Sequence, residues 1–255
     1  MNKTIHPDFV SHTSQIDHII THFSTEGTLF TKGRRNTIRV FDMDGQPVNV
    51  KAFGIPNIFN KIAYRFLRSS KAQRSYEYAT ILLQKGIGTP QPIAFYENKS
   101  GLSFKDSYYM SAHMTPDLTY RQLIEIPDYP EHEMILRQFT QFTFMLHEKG
   151  VEFKDHTPGN TLIDKVGHEK YEFFLVDLNR MSFHTEPISL EKRVINMAKL
   201  TPERHLIDIM CDEYSKLYGC TYEELHKLMV KHTQYFANRF HRKRRIKRAL
   251  GLRKK

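Results

Sequence analysis

The sequence predicts an α+β chain in two parts, a small sheet-rich amino-terminal lobe and a mainly helical carboxy-terminal lobe. Three observations carry that reading. Up to about residue 112, short runs alternate in hydrophobicity with a period of two and are broken by turn residues, as in QPVNVKAF with valines at 48 and 50. Beyond it, apolar residues recur at helical spacing over long stretches, as in EHEMILRQFTQFTFMLHEKG. Finally, 40% hydrophobic and 12% aromatic residues in a chain of 255 are enough to bury a substantial core.

The elements follow in order. Ile16, Ile19, Ile20 and Phe23 predict a helix over 14–23. TLFTKGRRNTIRVF reads as two short strands joined by a Gly-Arg turn, DMDG (42–45) as a turn, and QPVNVKAF as a third strand. Pro56 opens a helix with Phe59, Ile62, Ala63 and Phe66 on one stripe, and a further helix runs from Lys71 to Lys85, stopped by Gly86. QPIAFYE and KDSYYMSAHM are strands. The helix 131–149 carries Met134, Ile135, Phe139, Phe142, Met145 and Leu146 on one side, a core stripe, and stops at Gly150. Two short strands with loops follow, then helices starting near Ser189, at Thr201-Pro202, and at Thr221, which with Glu224 makes a capping box. The expected partition is a helical segment 1–24, lobes over 25–112 and 113–238, and an arm over 239–255.

Composition narrows the function classes. Cys211 and Cys220 are the two cysteines, without CxxC or a Cys/His cluster, so a disulfide framework or a zinc site is not expected and the pair fits a reducing cytoplasm. No signal-peptide core follows the first methionine, and no run of about 18 apolar residues occurs. The net charge of +10 is concentrated: residues 239–255 hold ten Lys/Arg and no acid, which leaves the rest balanced at 28 and 28. RFHRKRRIKRALGLRKK reads as a solvated tail, a nucleic-acid contact or an anionic-surface contact, with Ile246, Leu250 and Leu252 as a weak apolar side. Lys61, Arg65, Arg68, Lys71 and Arg74 form a second basic surface, with no acid between Gly54 and Tyr76.

One constellation carries chemistry. Phosphoryl transfer from ATP needs positioning and charge neutralisation: a cation on the phosphates, hard oxygen ligands for Mg²⁺, and a carboxylate facing the attacking hydroxyl. Protein kinases meet this with a strand lysine, a helix glutamate, an Asp-x-x-x-x-Asn loop and an Asp after a later strand. The same order stands here. Lys51 lies in VNVK, Glu77 in RSYEYA, Asp155 and Asn160 in KDHTPGNTLI, and Asp177 after FFLV, with LHEKG just before the loop. Each residue alone has a plain reading: a solvated lysine, a helix-surface glutamate, a polar turn, a strand cap. His147, His156 and His168 are read as packing or surface groups, without metal-binding partners.

These stretches, with VNVKAF, GIGTPQPIA and VDLNRM, resemble the protein-kinase-like fold and, within it, the bacterial lipopolysaccharide core kinases, the Kdo kinase and heptose kinase (WaaP-like) group. The resemblance covers roughly residues 25–200. It implies ATP-dependent phosphorylation of a core sugar hydroxyl, with ATP and Mg²⁺ as cofactors and a lipopolysaccharide or lipid A precursor as substrate. Among the nucleotide-binding residues Lys51 would hold the phosphates and Glu77 would hold Lys51, with Gly27 and Gly33, flanking the first hairpin strand, as a weak phosphate loop; Asp155 would be catalytic; Asn160 and Asp177 would bind metal. Phe153 replaces the usual His of His-x-Asp, no GxGxxG exists, and the helix near Ser189 begins only 12 positions after Asp177, which disfavours a peptide substrate. The expected setting is a cytoplasmic monomer, its basic arm on the inner face of the inner membrane; charge alone fits RNA nearly as well. The competing readings are another small-molecule or protein kinase of this fold, and a pseudokinase binding module.

Overall fold

A computed structural model of the chain describes residues 2–33, 36–54, 69–100 and 103–249. The chain divides into two compact units. The first comprises Met1–Thr115 with Leu175–Arg180, and the second Pro116–Phe174 with Met181–Lys255.

The first unit is built on one antiparallel sheet. Its strands are β1 (Asn2–Ile5), β2 (Thr28–Lys32), β3 (Asn36–Met43), β4 (Gln46–Phe53), β5 (Pro92–Ser100) and β6 (Ser103–Ala112), in the spatial order β1-β5-β6-β4-β3-β2. The predicted strand QPVNVKAF is β4, in the middle, with Val48 and Val50 turned into the core. Asp44 and Gly45 make the tight turn before it with positive φ, and the Asp42 carboxylate accepts from the Gly45 N–H at 3.0 Å. Helix α1 (Thr13–Thr21) buries Ile16, Ile19 and Ile20, with Phe23 just beyond, among Phe41, Met43, Val48, Val50 and Tyr96. The segment 1–24, expected as helical, therefore contributes both a strand and a helix to this unit.

Helix α2 (Lys71–Gln84) is capped by Ser70, whose hydroxyl accepts from the Gln73 N–H at 3.0 Å, and ends at Gly86 with φ 65°. It lays Ala72, Tyr76, Ala79 and Leu82 against the unit's interior. Arg74, expected on a basic surface, is instead buried, because its guanidinium serves backbone carbonyls. The helix predicted from Pro56, with Lys61, Arg65 and Arg68, lies outside the described residues, as do Arg34 and Arg35 of the predicted Gly-Arg turn.

The second unit is mainly helical. A capping box of Thr119 and Gln122 starts α3 (Tyr120–Glu125). Helix α4 (His132–Glu148) is its central element, burying Ile135, Leu136, Phe139, Phe142 and Leu146, with the Tyr120 ring stacked on Phe139 and the Phe173 ring tilted against it. The predicted stripe is core, as its spacing demands. Around it lie α5 (Leu190–Met197), α6 (Arg204–Tyr218) and α7 (Tyr222–Ala249), and the small pairings of β7 (Leu118–Thr119), β8 (Val151–Phe153), β9 (Thr161–Gly167), β10 (Lys170–Leu175) and β11 (Met181–Phe183). Helix α7 buries Leu225 and Met229 near its start and continues into the basic arm as exposed helix, with Phe240 and Ile246 in water. Leu250 and Leu252 lie outside the described residues. No described helix is long and apolar enough to cross a membrane.

Candidate active site

In the first unit, register decides where Lys51 goes. It lies within β4, opposite Ile38 of β3 and Tyr109 of β6, two residues before the strand ends. Its neighbours Val50 and Ala52 point to the other face, so Lys51 leaves the Val48–Val50 core. Its ammonium donates to Asp177 Oδ1 at 2.7 Å, a partner 126 residues away. It also stands 5.5 Å over the buried Phe53 ring, and Lys71 stands 5.8 Å over the same ring. Two cations thus converge on one aromatic.

Asp177 is held in an uncommon backbone state. Its φ is 59°, in the left-handed region that costs most side chains energy but that Asp tolerates. Three anchors fix the segment around it. Leu175 N–H donates to Gly88 O at 2.8 Å, and its carbonyl accepts from the Thr89 hydroxyl at 2.8 Å. The buried Arg74 donates to Asn179 O at 3.0 Å and to Ser69 O at 2.7 Å. Leu178 is packed inside. Asn179 Nδ2 then donates to Asp177 Oδ1 at 2.7 Å, so one oxygen takes both Lys51 and Asn179. Among the described residues nothing donates to Oδ2, which leaves a hard oxygen of the kind Mg²⁺ takes.

One expectation changes. Glu77 was assigned to hold Lys51, but its carboxylate accepts from Gln73 Nε2 at 2.7 Å on its own helix, while Lys51 pairs with Asp177. Position four residues apart on one helix face favours that local bond. Gly27 and Gly33 flank β2, the first hairpin strand, as expected, at its opposite ends. Gly27 is a turn, with φ 72° and no room for a Cβ beside the Phe41 ring. Gly33 lies at the β2–β3 hairpin, its N–H on Asn36 O at 2.9 Å.

In the second unit, the loop KDHTPGN is built on α4 and β8. Gly150 ends the helix with φ 69°; a Cβ there would sit 2.3 Å from His184 O. β8 then pairs with β11, and Phe153, standing where the usual His would be, is fully buried. Beneath the loop lies a buried polar network, in which His156 Nε2 has no hydrogen-bond partner among the described residues. Asn196 Nδ2 donates to Phe153 O at 2.6 Å, and its Oδ1 accepts from His156 Nδ1 at 3.0 Å and His147 Nε2 at 3.2 Å. Tyr214 donates to His147 Nδ1 at 2.7 Å and accepts from Arg193 at 3.3 Å. Those roles are the ones two neutral imidazoles take. Burial drives them the same way, His147 down to about 3 and His156 down to about 4. His147 and His156 are thus packing groups, and His168 is exposed, as expected.

Above this floor, Asn160 Nδ2 donates to Asp155 O at 2.8 Å across the Pro158–Asn160 turn. That bond fixes the amide's orientation and leaves Asn160 Oδ1 as a second hard oxygen. The structure therefore brings Lys51 with Asp177 in one unit and Asp155 with Asn160 in the other. Arg74, Asn179 and Asn196 support these groups; the sequence placed Arg74 on a basic surface and gave the two asparagines no role. Asn179 was legible, two residues after Asp177 in VDLNRM; the other two show no local signal.

No protein-family model and no curated protein matches the chain. Among solved structures, WaaP in complex with acyl carrier protein matches over 94% of this chain and 98% of its own, with a TM-score of 0.65 and 13% identity. At that identity the likeness shows the fold: a two-lobed, kinase-like α+β fold, sheet-rich before and helical after.

Proposed function

We propose that the chain is an ATP-dependent kinase that phosphorylates a sugar hydroxyl, Kdo or heptose, of a lipopolysaccharide core or lipid A precursor. The observation that supports it most is the Lys51–Asp177 pair, formed across 126 residues and braced by Asn179 and Arg74. Nothing local would bring those two residues together. The resemblance of the motifs to lipopolysaccharide core kinases and the likeness in fold to WaaP point to the substrate class.

The roles follow from chemistry. Lys51, with Lys71 beside the same ring, neutralises phosphate oxygens. Asp177 Oδ2 in the first unit and Asn160 Oδ1 in the second are each oxygens that would suit Mg²⁺, which when bound would offset charge on the phosphates. Asp155 orients the acceptor hydroxyl and takes its proton. Glu77 has no part in holding Lys51 in this arrangement. The basic arm would hold the enzyme at an anionic cytoplasmic membrane surface, or against an acidic protein, as WaaP was solved with acyl carrier protein.

The test is transfer of labelled phosphate from MgATP to isolated lipopolysaccharide precursors by the full chain, with mass spectrometry of the cellular lipopolysaccharide with and without it. Label on the core sugar and loss of one phosphate from cells lacking the protein support the reading. Label appearing only in protein or another small molecule selects the rival kinase reading. Nucleotide binding without any transfer selects the pseudokinase.

A further inference from the structure

Helix α1 ends in a second constellation, remote in kind from the phosphoryl-transfer groups. His18 and His22 stand one helical turn apart, and Glu26 follows one turn later, a His-x-x-x-His-x-x-x-Glu spacing. One donor atom from each lies within 4.8 Å of the other two. We propose that these three residues form a binding site for a borderline divalent transition-metal ion, Zn²⁺ in the first instance, that fastens the end of α1 to the turn entering β2.

The backbone that carries them is rigid. Ile19, Ile20 and Phe23 are anchored in the core, and Phe23 packs on the rings of Phe41 and Tyr108. The chain continues past α1 in turns, with the N–H groups of Thr25 and Glu26 on His22 O at 3.0 and 2.9 Å. Arg39 then donates to both Glu26 O and Gly27 O at 2.8 Å. The three side chains therefore project from fixed Cα positions, and little ordering remains to oppose binding.

The donor chemistry fits. His22 Nδ1 lies 3.0 Å from His18 O, and a carbonyl only accepts, so Nδ1 carries the proton and Nε2 keeps its lone pair for a metal. That backbone bond is the orienting contact metal-bound histidines commonly make. His18 Nε2 lies 3.0 Å from Glu26 Oε2, and the two imidazoles stack at 4.1 Å. Tetrahedral coordination with bonds of about 2.1 Å sets ligands about 3.4 Å apart, so a small opening of the group admits an ion. Two imidazoles and one carboxylate suit Zn²⁺, with water as the fourth ligand; Mg²⁺ prefers all-oxygen shells. The groups are exposed, so an ion reaches them without unfolding.

The experiment uses the full chain, stripped with chelator and kept in excess Mg²⁺, and titrates it calorimetrically with Zn²⁺ while following thermal melting. One tight equivalent and a raised melting midpoint are expected. His18→Ala/His22→Ala should lose that equivalent and the midpoint rise, and Glu26→Gln should weaken binding at least tenfold. All three side chains are exposed, so the variants should melt like the metal-free parent, a check on folding; His18→Gln is a milder substitute. His241→Ala, another exposed histidine, should bind like the parent. Absence of a tight equivalent in the parent, or its survival in the double variant, would overturn the site. The outcome is independent of phosphate transfer.

Discussion

Lys51 has two partners of different kinds, the Asp177 carboxylate and the Phe53 ring, and Asp155 has its loop partner Asn160. Substitution should separate their tasks. Asp155→Asn keeps shape and removes charge, so MgATP should still raise the melting temperature while transfer falls about 10²–10⁴-fold, the range for one positioned base. Lys51→Met and Asp177→Asn should instead lose most of the nucleotide-dependent stabilisation, and for Asp177→Asn the remaining ATP effect should no longer depend on Mg²⁺. Glu77→Gln should leave MgATP stabilisation nearly unchanged, because its carboxylate serves Gln73. If Glu77→Gln behaved like Lys51→Met in the thermal assay, the pairing described here would not be the one nucleotide uses. Gly150 makes a different demand. Ala there meets both a positive φ and a carbonyl at 2.3 Å, so it should destabilise by roughly 3 kcal/mol or more in denaturant unfolding.

At the scale of elements, α4, α5 and α6 meet the loop through the His147–Asn196–His156–Tyr214–Arg193 network. Both histidines are neutral when folded, with values near 3 and 4, but take up a proton near 6.5 when unfolded. Below pH 6.5 the unfolded chain therefore binds more protons than the folded one, and stability falls as pH falls. Each histidine contributes up to about 1.4 kcal/mol per pH unit, down to roughly pH 4, and nothing above pH 7. Unfolding followed between pH 4.5 and 7.5 should show that slope, and a His147→Gln variant should flatten it. Asn196→Ala strands two imidazole donors and frees Phe153 O, and should cost on the order of 2–4 kcal/mol with loss of transfer. A pH-independent stability over that range would contradict the neutral network.

For the whole molecule, charge is the organising fact. The body is balanced, and the excess sits at the exposed end of α7, with Phe240 and Ile246 in water beside it. Deleting 239–255 should release the protein from anionic vesicles, leave its melting temperature nearly unchanged, and remove most of the salt dependence of binding. Leu225 and Met229, which anchor α7, lie well before the cut. Equal vesicle binding by the truncated chain would remove the membrane role, and salt-resistant RNA binding would favour nucleic acid.

The sequence by itself determined the elements and the order of the polar residues they carry. β4 over 46–53, α2 from 71, α4 over 132–148 and the loop from Asp155 to Asn160 follow from periods of 2 and 3.6, caps and turn residues, all of which act within a few positions. Only the tertiary structure decided partners. Lys51 meets Asp177 rather than Glu77, Arg74 turns inward to carry Asn179, and β1 joins the sheet beside β5. The physical reason is common to all three. A period assigns a residue to a face, but which group meets it there depends on sheet register and on where a distant segment returns. Arg74 illustrates the limit: in sequence it is one more cation in a basic run, and it is buried only because unpaired carbonyls of two separate segments, Ser69 and Asn179, converge on it.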